Sequence, residues 1–156
     1  MPILAEEPDM RGGSFSGVLE EYVEAYLFHA WLQNDAEKSG PSGYIVDFAS
    51  LPLKVSIEEY IGGLCDLTGE IGRYAVACGT KRDKKSVQLC LETNKKIYNL
   101  LSMVGEVPNV VGKKKNALKV SVKKLERIMY ECSLLEMACR KEYVSTLETN
   151  TLEGDN

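Results

Sequence analysis

With 156 residues, of which 44% are hydrophobic and 27% charged, the chain fits one globular domain that can bury a sizeable core. No apolar run approaches the roughly 18 residues that a membrane-spanning helix needs, so we expect no membrane partner. The net charge of −4 argues against nucleic-acid binding, but the charge is unevenly distributed. Residues 1–70 carry −10, residues 71–140 carry +9 and the last 16 residues carry −3. One part of such a chain can hold a cation and another part an anion.

The cysteines and the histidine do not form a zinc-binding pattern. The five cysteines include no Cys-x-x-Cys pair, and the single histidine, His29, offers no ligand cluster. Cys65, Cys132 and Cys139 lie in apolar helical stretches. This pattern is typical of reduced, buried thiols, so we expect a protein of the cytoplasm, the nucleus or both.

The first part of the chain predicts one helix between two irregular segments. Residues 1–16 contain proline, glycine and serine, and are expected to be disordered or loosely attached. Apolar residues then recur with helical periodicity from Gly17 to about Asn34. Residues 37–52 contain the glycines and prolines that are typical of a loop.

A second helix is predicted over about residues 57–78. Ser56 and Glu59 form the pattern of a capping box, and Val55 and Tyr60 are placed for a hydrophobic staple. Four glycines lie inside this helix, namely Gly62, Gly63, Gly69 and Gly72. Each costs roughly 1 kcal/mol of helix stability relative to alanine. We expect them where another backbone approaches closely, which predicts tight helix packing.

Two further helices complete the predicted fold, over about residues 86–103 and 114–146. The apolar positions of the last helix recur every three or four residues, at Leu118, Val122, Leu125, Met129, Cys132 and Leu135. Residues 147–156 are expected to form a flexible acidic tail. The sequence therefore predicts an all-α protein, an antiparallel helical bundle over residues 17–146.

Carboxylates recur at helical spacing within the first two, nearly apolar helices. Glu21 and Glu24 are three residues apart, and Asp66 and Glu70 are four apart, so each pair lies on one helical face. Carboxylates inside buried helices must be protonated, paired with a base or neutralised by a metal ion. Oxygen ligands suit Mg²⁺ or Mn²⁺, and such an ion can activate water for attack on a phosphodiester.

The same acids also have a purely structural interpretation. Glu20 and Glu21 would then be solvated residues near the start of the first helix. Asp66 and Glu70 would pair with Arg73 and a lysine. Spacing alone does not show that the two helices meet, so both interpretations stay open at this point.

Three segments of the chain resemble Trax proteins, which belong to the translin family. LEEYVEAYLFHAWL (19–32) is similar to their second conserved helix, and EEYIGGLCDLTGEIGRYAV (58–76) is similar to their DLTGE-bearing helix. KKKNALKVSVKKLERIMYE (113–131) resembles the lysine-containing helix near their C-terminus. The segments occur in the family's order and cover about half of the chain. EYVE in combination with DLTGE favours Trax over translin.

The resemblance implies a translin-type helical bundle and a nuclease function. Trax would be the catalytic subunit that cleaves single-stranded RNA with Mg²⁺, and single-stranded DNA would be a further ligand. Translin would supply most of an octameric complex, outside which the chain is not expected to be active. Residue by residue, Glu21 and Glu24 match the glutamates of the first motif, and Asp66 and Glu70 match the acids of the second. These four carboxylates would hold the metal ion and form the catalytic site.

The N-terminus departs from the family's pattern. Trax proteins usually have a long helix and a basic segment before the first motif, whereas only about 18 residues, acidic overall, precede it here. We therefore expect a translin-type bundle that lacks most of the N-terminal helix. Because that helix packs along the bundle, its loss would affect assembly with translin.

Basic residues form a stripe along the last helix. Four of them step by four residues, namely Lys115, Lys119, Lys123 and Arg127. Such a stripe can track a nucleic-acid backbone, although a solvated helix face has the same pattern. Arg73 lies about one turn from Glu70 and is placed for phosphate contact beside the metal.

The leading hypothesis is a Mg²⁺-dependent endoribonuclease subunit that cleaves single-stranded RNA within a translin–Trax-type complex. The first alternative is a non-catalytic subunit that binds nucleic acid or acts as a scaffold, with structural acids. A second alternative is a shortened paralogue that caps its partner and neither binds metal nor cleaves.

Overall fold

The computed structural model of the chain describes residues 14–33, 44–103 and 109–152. These residues form four α-helices, which we label in chain order: α1 (Ser14–Gln33), α2 (Ile57–Thr80), α3 (Lys84–Met103) and α4 (Asn109–Leu152). A short 3-10 helix, Phe48–Ser50, precedes α2, and no strand occurs in the part of the chain described. The all-α prediction is confirmed.

The helices differ from their predicted bounds mainly at their ends. α1 begins at Ser14 rather than Gly17, and α4 begins at Asn109 and continues to Leu152. Residues 147–152 of the predicted tail are thus helical. Residues 1–13, which were predicted to be disordered or loosely attached, lie outside the described residues, as do residues 153–156 of the tail.

Helix α2 is the centre of the bundle, because it packs against α1, α3 and α4. Its side chains Leu67, Ile71 and Ala75 are completely buried. They meet apolar residues from every other helix, including Val23 and Leu27 of α1, Ile97 of α3, and Leu118 and Leu125 of α4. This packing fixes α2 in place, and with it the positions of the side chains that α2 directs toward α1 and α4. No helix among the described residues is long and apolar enough to cross a membrane.

The start of α2 matches the predicted capping box. The backbone N–H of Glu59 donates to Ser56 Oγ at 3.1 Å, and the backbone N–H of Ser56 donates to Glu59 Oε2 at 2.6 Å. These two bonds satisfy helix-terminal donors that would otherwise have no partner. Val55 is buried, and the Tyr60 hydroxyl donates to the Val46 carbonyl at 2.8 Å, which joins the preceding loop to the helix.

Two of the four predicted glycines lie where α1 approaches α2 most closely. A Cβ added at Gly62 would lie 2.5 Å from the Glu20 carboxyl group. One added at Gly63 would lie 2.6 Å from the Val23 side chain and 2.7 Å from the Glu20 carbonyl oxygen. A Cβ added at Gly69, by contrast, would have no atom of the described residues within 4 Å. Close approach therefore explains Gly62 and Gly63 but not Gly69.

The turn between α2 and α3 is shorter than predicted. Gly79 lies inside α2 and does not cap it; the helix ends at Thr80, with Lys81 at the cap. Gly79 faces α4, where an added Cβ would meet the Ile128 side chain at 2.8 Å, so packing is the reason for this glycine. Arg82 then takes the left-handed conformation, with φ of 59°, and reverses the chain.

The cysteines are free thiols, as expected, but one of them is not buried. Cys65, Cys78, Cys90 and Cys132 are buried, whereas Cys139 is exposed on α4. The prediction that Cys139 is buried is wrong, because α4 continues there past Met129, the last of its residues that packs against the core cluster.

Candidate metal centre

Acidic side chains from α1 and α2 converge on one cleft, which α4 closes. The cleft has a volume of about 430 Å³. Three of its lining residues are predicted metal ligands, namely Glu24, Asp66 and Glu70. The remaining lining residues are Cys65, Thr68, Gly69, Arg73, Lys114, Ala117, Leu118 and Ser121. We call this the carboxylate cleft.

Helix packing sets the position of each wall of the cleft. Val23 and Leu27, which are buried in the core, hold the face of α1 that carries Glu24 against α2. Leu118 is 1% exposed and anchors α4, so Lys114, one turn earlier, comes to lie at the same face. Beneath the cleft, the buried Asn94 Nδ2 donates to the Thr68 carbonyl at 3.2 Å and lies 3.5 Å from Ser121 Oγ.

Lys114 lies between two carboxylates of different helices. Its Nζ donates to Glu20 Oε2 at 2.7 Å and to Asp66 Oδ2 at 2.8 Å, and it lies 3.5 Å from the Gly62 carbonyl oxygen. Burial by itself lowers the pKa of Lys114, but the hydrogen bonds and charges of Asp66 and Glu20 outweigh it and raise the pKa above its ordinary value. Lys114 is therefore a protonated ammonium group surrounded by oxygen atoms.

Glu24 is electrostatically coupled to the same cluster. Burial raises the pKa of Glu24, and the negative charges of Asp66 and Glu21 raise it further. Arg73 and Lys114 act in the opposite direction without cancelling the increase. The charge of Asp66 thus disfavours the charged form of Glu24, which is an electrostatic condition that a bound cation would relieve.

This shift predicts a pH-dependent effect of replacing Glu24. Because the pKa is higher in the folded chain, the contribution of the carboxyl group to stability is fully present below its ordinary pKa of 4.5. That contribution is lost as the pH rises through the raised pKa. In EDTA we expect Glu24→Gln to increase the free energy of unfolding near neutral pH, and the gain to disappear below pH 4.5. Urea unfolding across this range measures it.

A matched control for this experiment is Glu58→Gln, which neutralises an exposed carboxylate in the first turn of α2. Its effect is expected to stay within about 0.5 kcal/mol at either pH. A stability gain for Glu24→Gln that is equally large in acid would show that the side chain acts through packing and not through its charge.

The other two predicted ligands lie farther out. Glu70 forms an ion pair with Arg73 on the same face of α2, and the Arg73 side chain is mostly exposed. Glu21 is exposed on α1 and is not among the residues that line the carboxylate cleft, although its charge is felt at Glu24. The structure therefore brings Glu24, Asp66 and Glu70 together and leaves Glu21 at the edge.

The carboxylate cleft has the donor atoms that a hard divalent ion prefers, but its described side chains are not arranged around such an ion. The acidic donors are carboxylate oxygen atoms, which hard divalent ions prefer, and burial raises the pKa of the lining Cys65 thiol to about 11. Among the described residues, however, no three acidic, histidine or cysteine side chains are arranged to hold an ion. Asp66 pairs with Lys114 and Glu70 with Arg73, as the structural interpretation of these acids expected.

Sequence reasoning missed two residues of this cluster, Glu20 and Lys114. Glu20, not Glu21, faces α2, which only the approach of α1 to Gly62 reveals. Lys114 had a usable signal, because it lies four residues before Leu118 on the apolar seam of α4. A charged residue in line with such a seam faces the bundle, and Lys114 is accordingly half-buried.

The predicted basic stripe on α4 is mostly exposed. Lys119 and Lys123 face solvent, and Arg127 is exposed and pairs with Glu131 at 3.2 Å. Lys115 differs, because it is half-buried with its Nζ 5.9 Å from the centre of the Tyr98 ring. The stripe is thus accessible at three of its four positions.

Two comparisons with known proteins agree with the motif resemblance. A family model described as the Translin family matches residues 12–135. The chain is 32% identical over 142 residues to the Translin-associated protein X homolog of Schizosaccharomyces pombe. That alignment covers 85% of this chain and 55% of the relative, so the chain spans about half the length of the relative. Both findings support the predicted similarity to Trax.

Proposed function

This chain belongs to the translin family, and we propose that it is the Mg²⁺-dependent endoribonuclease subunit of a complex with a translin-like partner. Its substrate in this proposal is single-stranded RNA. The relative's name describes a protein associated with translin, which supports the same kind of partner for this chain. The free cysteines are compatible with a site of action in the cytoplasm or the nucleus.

One observation carries the proposal: Glu24 and Asp66, from the two motifs that resemble Trax, face the same cleft. They belong to different helices and are coupled strongly enough for Asp66 to raise the pKa of Glu24. Two nearby carboxylates repel each other, and Lys114, which pairs with Asp66, does not cancel the increase in the pKa of Glu24. A site for a divalent cation gives the arrangement a physical reason.

The proposed ligands are Glu24 and Asp66 at the centre of the cleft, with Glu70 and Glu21 toward its edge. When bound, Mg²⁺ would supply a more acidic water molecule and stabilise charge that develops on the phosphodiester. The role of the chain is to hold the carboxylates on helices whose core residues, such as Leu67 and Val23, are fully buried. Such supports preserve the geometry of a site better than a loop does.

Exposed cations beside the cleft supply the proposed contacts with RNA. Arg73 lines the cleft, and most of its side chain is accessible, so it can exchange Glu70 for a phosphate group. Lys119 and Lys123 are exposed on α4, whose residues Leu118 and Ser121 line the cleft. Since few aromatic side chains interleave with them, we propose contacts to the backbone rather than recognition of bases.

The test is cleavage of labelled single-stranded RNA by the 156-residue chain, alone and with a translin-like partner, in Mg²⁺ or EDTA. We expect cleavage that requires both the ion and the partner. Replacement of Glu24 and Asp66 together by alanine is expected to abolish it while partner binding persists. If no cleavage occurs in Mg²⁺ with the partner demonstrably bound, the nuclease proposal is wrong.

The second candidate function is a non-catalytic subunit that binds nucleic acid or acts as a scaffold. The ion pairs of Asp66 with Lys114 and of Glu70 with Arg73 favour it, since they already neutralise two of the acids. Thermal unfolding in increasing Mg²⁺ separates the two candidates. A metal site is stabilised by mass action as the ion concentration rises, whereas a scaffold with paired acids gains little.

A further inference from the structure

The ammonium group of Lys114 occupies a cage of oxygen atoms inside the carboxylate cleft. Glu20, Asp66 and the Gly62 carbonyl each present one oxygen to Nζ, at 2.7, 2.8 and 3.5 Å respectively. We propose that Lys114 is an internal cation that competes with the divalent ion for Asp66, so that metal binding requires its displacement. This inference rests on the proposed function, because it concerns regulation of the same site.

The cage is built into the helix packing. Gly62 lacks a side chain, and the Glu20 carboxyl group fills the space where a Cβ would otherwise lie. This brings an α1 carboxylate and an α2 carbonyl oxygen to the same side of Lys114. Leu118, one turn along α4, is 1% exposed and holds the start of the lysine side chain in place. Only the flexible methylene chain of Lys114 can then move without disturbing the core.

The two cations are alternatives at Asp66. Carboxylate and carbonyl oxygens are the donors that hard divalent ions prefer, and they are the same donors that surround Nζ. A divalent ion bound to Asp66 and Glu24 would lie beside a positive ammonium group, and the two would repel each other at short distance. A site that is open only while the lysine is displaced has a lower apparent affinity for the ion. The lysine also offsets part of the negative charge of Glu20 and Asp66 when no metal is bound.

Displaced Lys114 would remain next to the cleft with its charge unpaired. The cleft also contains Arg73, so two cations would then face the space where an anionic substrate meets the ion. When the metal ion replaces Lys114 at Asp66, the lysine thus becomes free to contact a phosphate group of the substrate. Lys114 acts in this scheme as a positioning residue, through Asp66, and not as a metal ligand.

Direct Mn²⁺ titration of the metal-free 156-residue chain by calorimetry tests the inference. We expect Lys114→Met to bind Mn²⁺ at least about tenfold more tightly than the unsubstituted chain, because the competing charge is gone. Lys114→Arg, which keeps the charge, is expected to stay near the unsubstituted affinity. Lys113→Met is the matched control; it removes the same charge from the exposed neighbouring residue and is expected to change the affinity less than twofold.

Asp66→Asn distinguishes the possible outcomes. If Lys114→Met binds Mn²⁺ more tightly and the added Asp66→Asn removes that gain, the competition is established. A second outcome is that Lys114→Met and the unsubstituted chain bind Mn²⁺ with equal affinity, while Asp66→Asn abolishes binding. That result would overturn the competition and leave the proposed metal site intact. Absence of Mn²⁺ binding in both chains, with circular dichroism showing intact helices, would overturn the metal site as well.

Discussion

Gly63→Ala is expected to destabilise the fold by about 2–3 kcal/mol, although alanine is the better helix former. The added methyl group would lie 2.6 Å from the Val23 side chain and 2.7 Å from the carbonyl oxygen of Glu20. Val23 is completely buried, and the Glu20 oxygen belongs to the backbone of α1. Neither atom group can therefore move away from the added methyl group without a large energetic cost. The helices α1 and α2 must separate, which opens the packing on which the carboxylate cleft depends.

Gly69→Ala provides the matched comparison on the same helix. No atom of the described residues lies within 4 Å of the position where its methyl group would be built. The change is therefore expected to stabilise the chain by up to about 1 kcal/mol, through helix propensity and a less flexible unfolded chain. Urea unfolding of both variants measures the difference. Shifts of the same sign and size would contradict close approach at Gly63 as the reason for its glycine.

Asp66→Asn is expected to reduce Mg²⁺-dependent RNA cleavage at least about 100-fold in the complex with a translin-like partner. Among the described residues, Asp66 is the carboxylate that both contacts Lys114 and raises the pKa of Glu24, so it lies at the centre of the proposed ligand set. Asparagine has nearly the same shape but carries no charge. Initial cleavage rates of a labelled single-stranded RNA, measured at saturating Mg²⁺, give the size of the loss.

The control for this prediction is again Glu58→Gln, on the same helix but exposed and away from the cleft. It is expected to retain the cleavage rate within about twofold, in keeping with the small effect of most surface substitutions. Rates for Asp66→Asn close to those of the control would mean that the carboxylate cleft is not where cleavage occurs. Partner binding must be intact in both variants for the comparison to hold.

The sequence by itself determined the helices and the family. Helix periodicity and capping depend on residues within a few positions of one another, so the capping box of Ser56 and Glu59 could be read directly. The same holds for the pairing of Glu70 with Arg73, three residues along one helix. Helix ends were predicted less well. The apolar seam of α4 indicated the middle of that helix, but no local sequence signal showed that the helix continues to Leu152.

Only the tertiary structure decided which charged residues meet. Nothing within α1 indicates that Glu20 rather than Glu21 faces α2, because the choice depends on how deeply α1 settles against Gly62 and Gly63. Nor could spacing reveal that Lys114 reaches Asp66, since those residues lie on different helices and meet only after both have packed. Local pattern specifies helices, whereas the register between helices is set by the shapes of side chains far apart in the chain. For that reason the acids of the two motifs could be proposed from sequence, whereas the pairing of Asp66 with Lys114 could not.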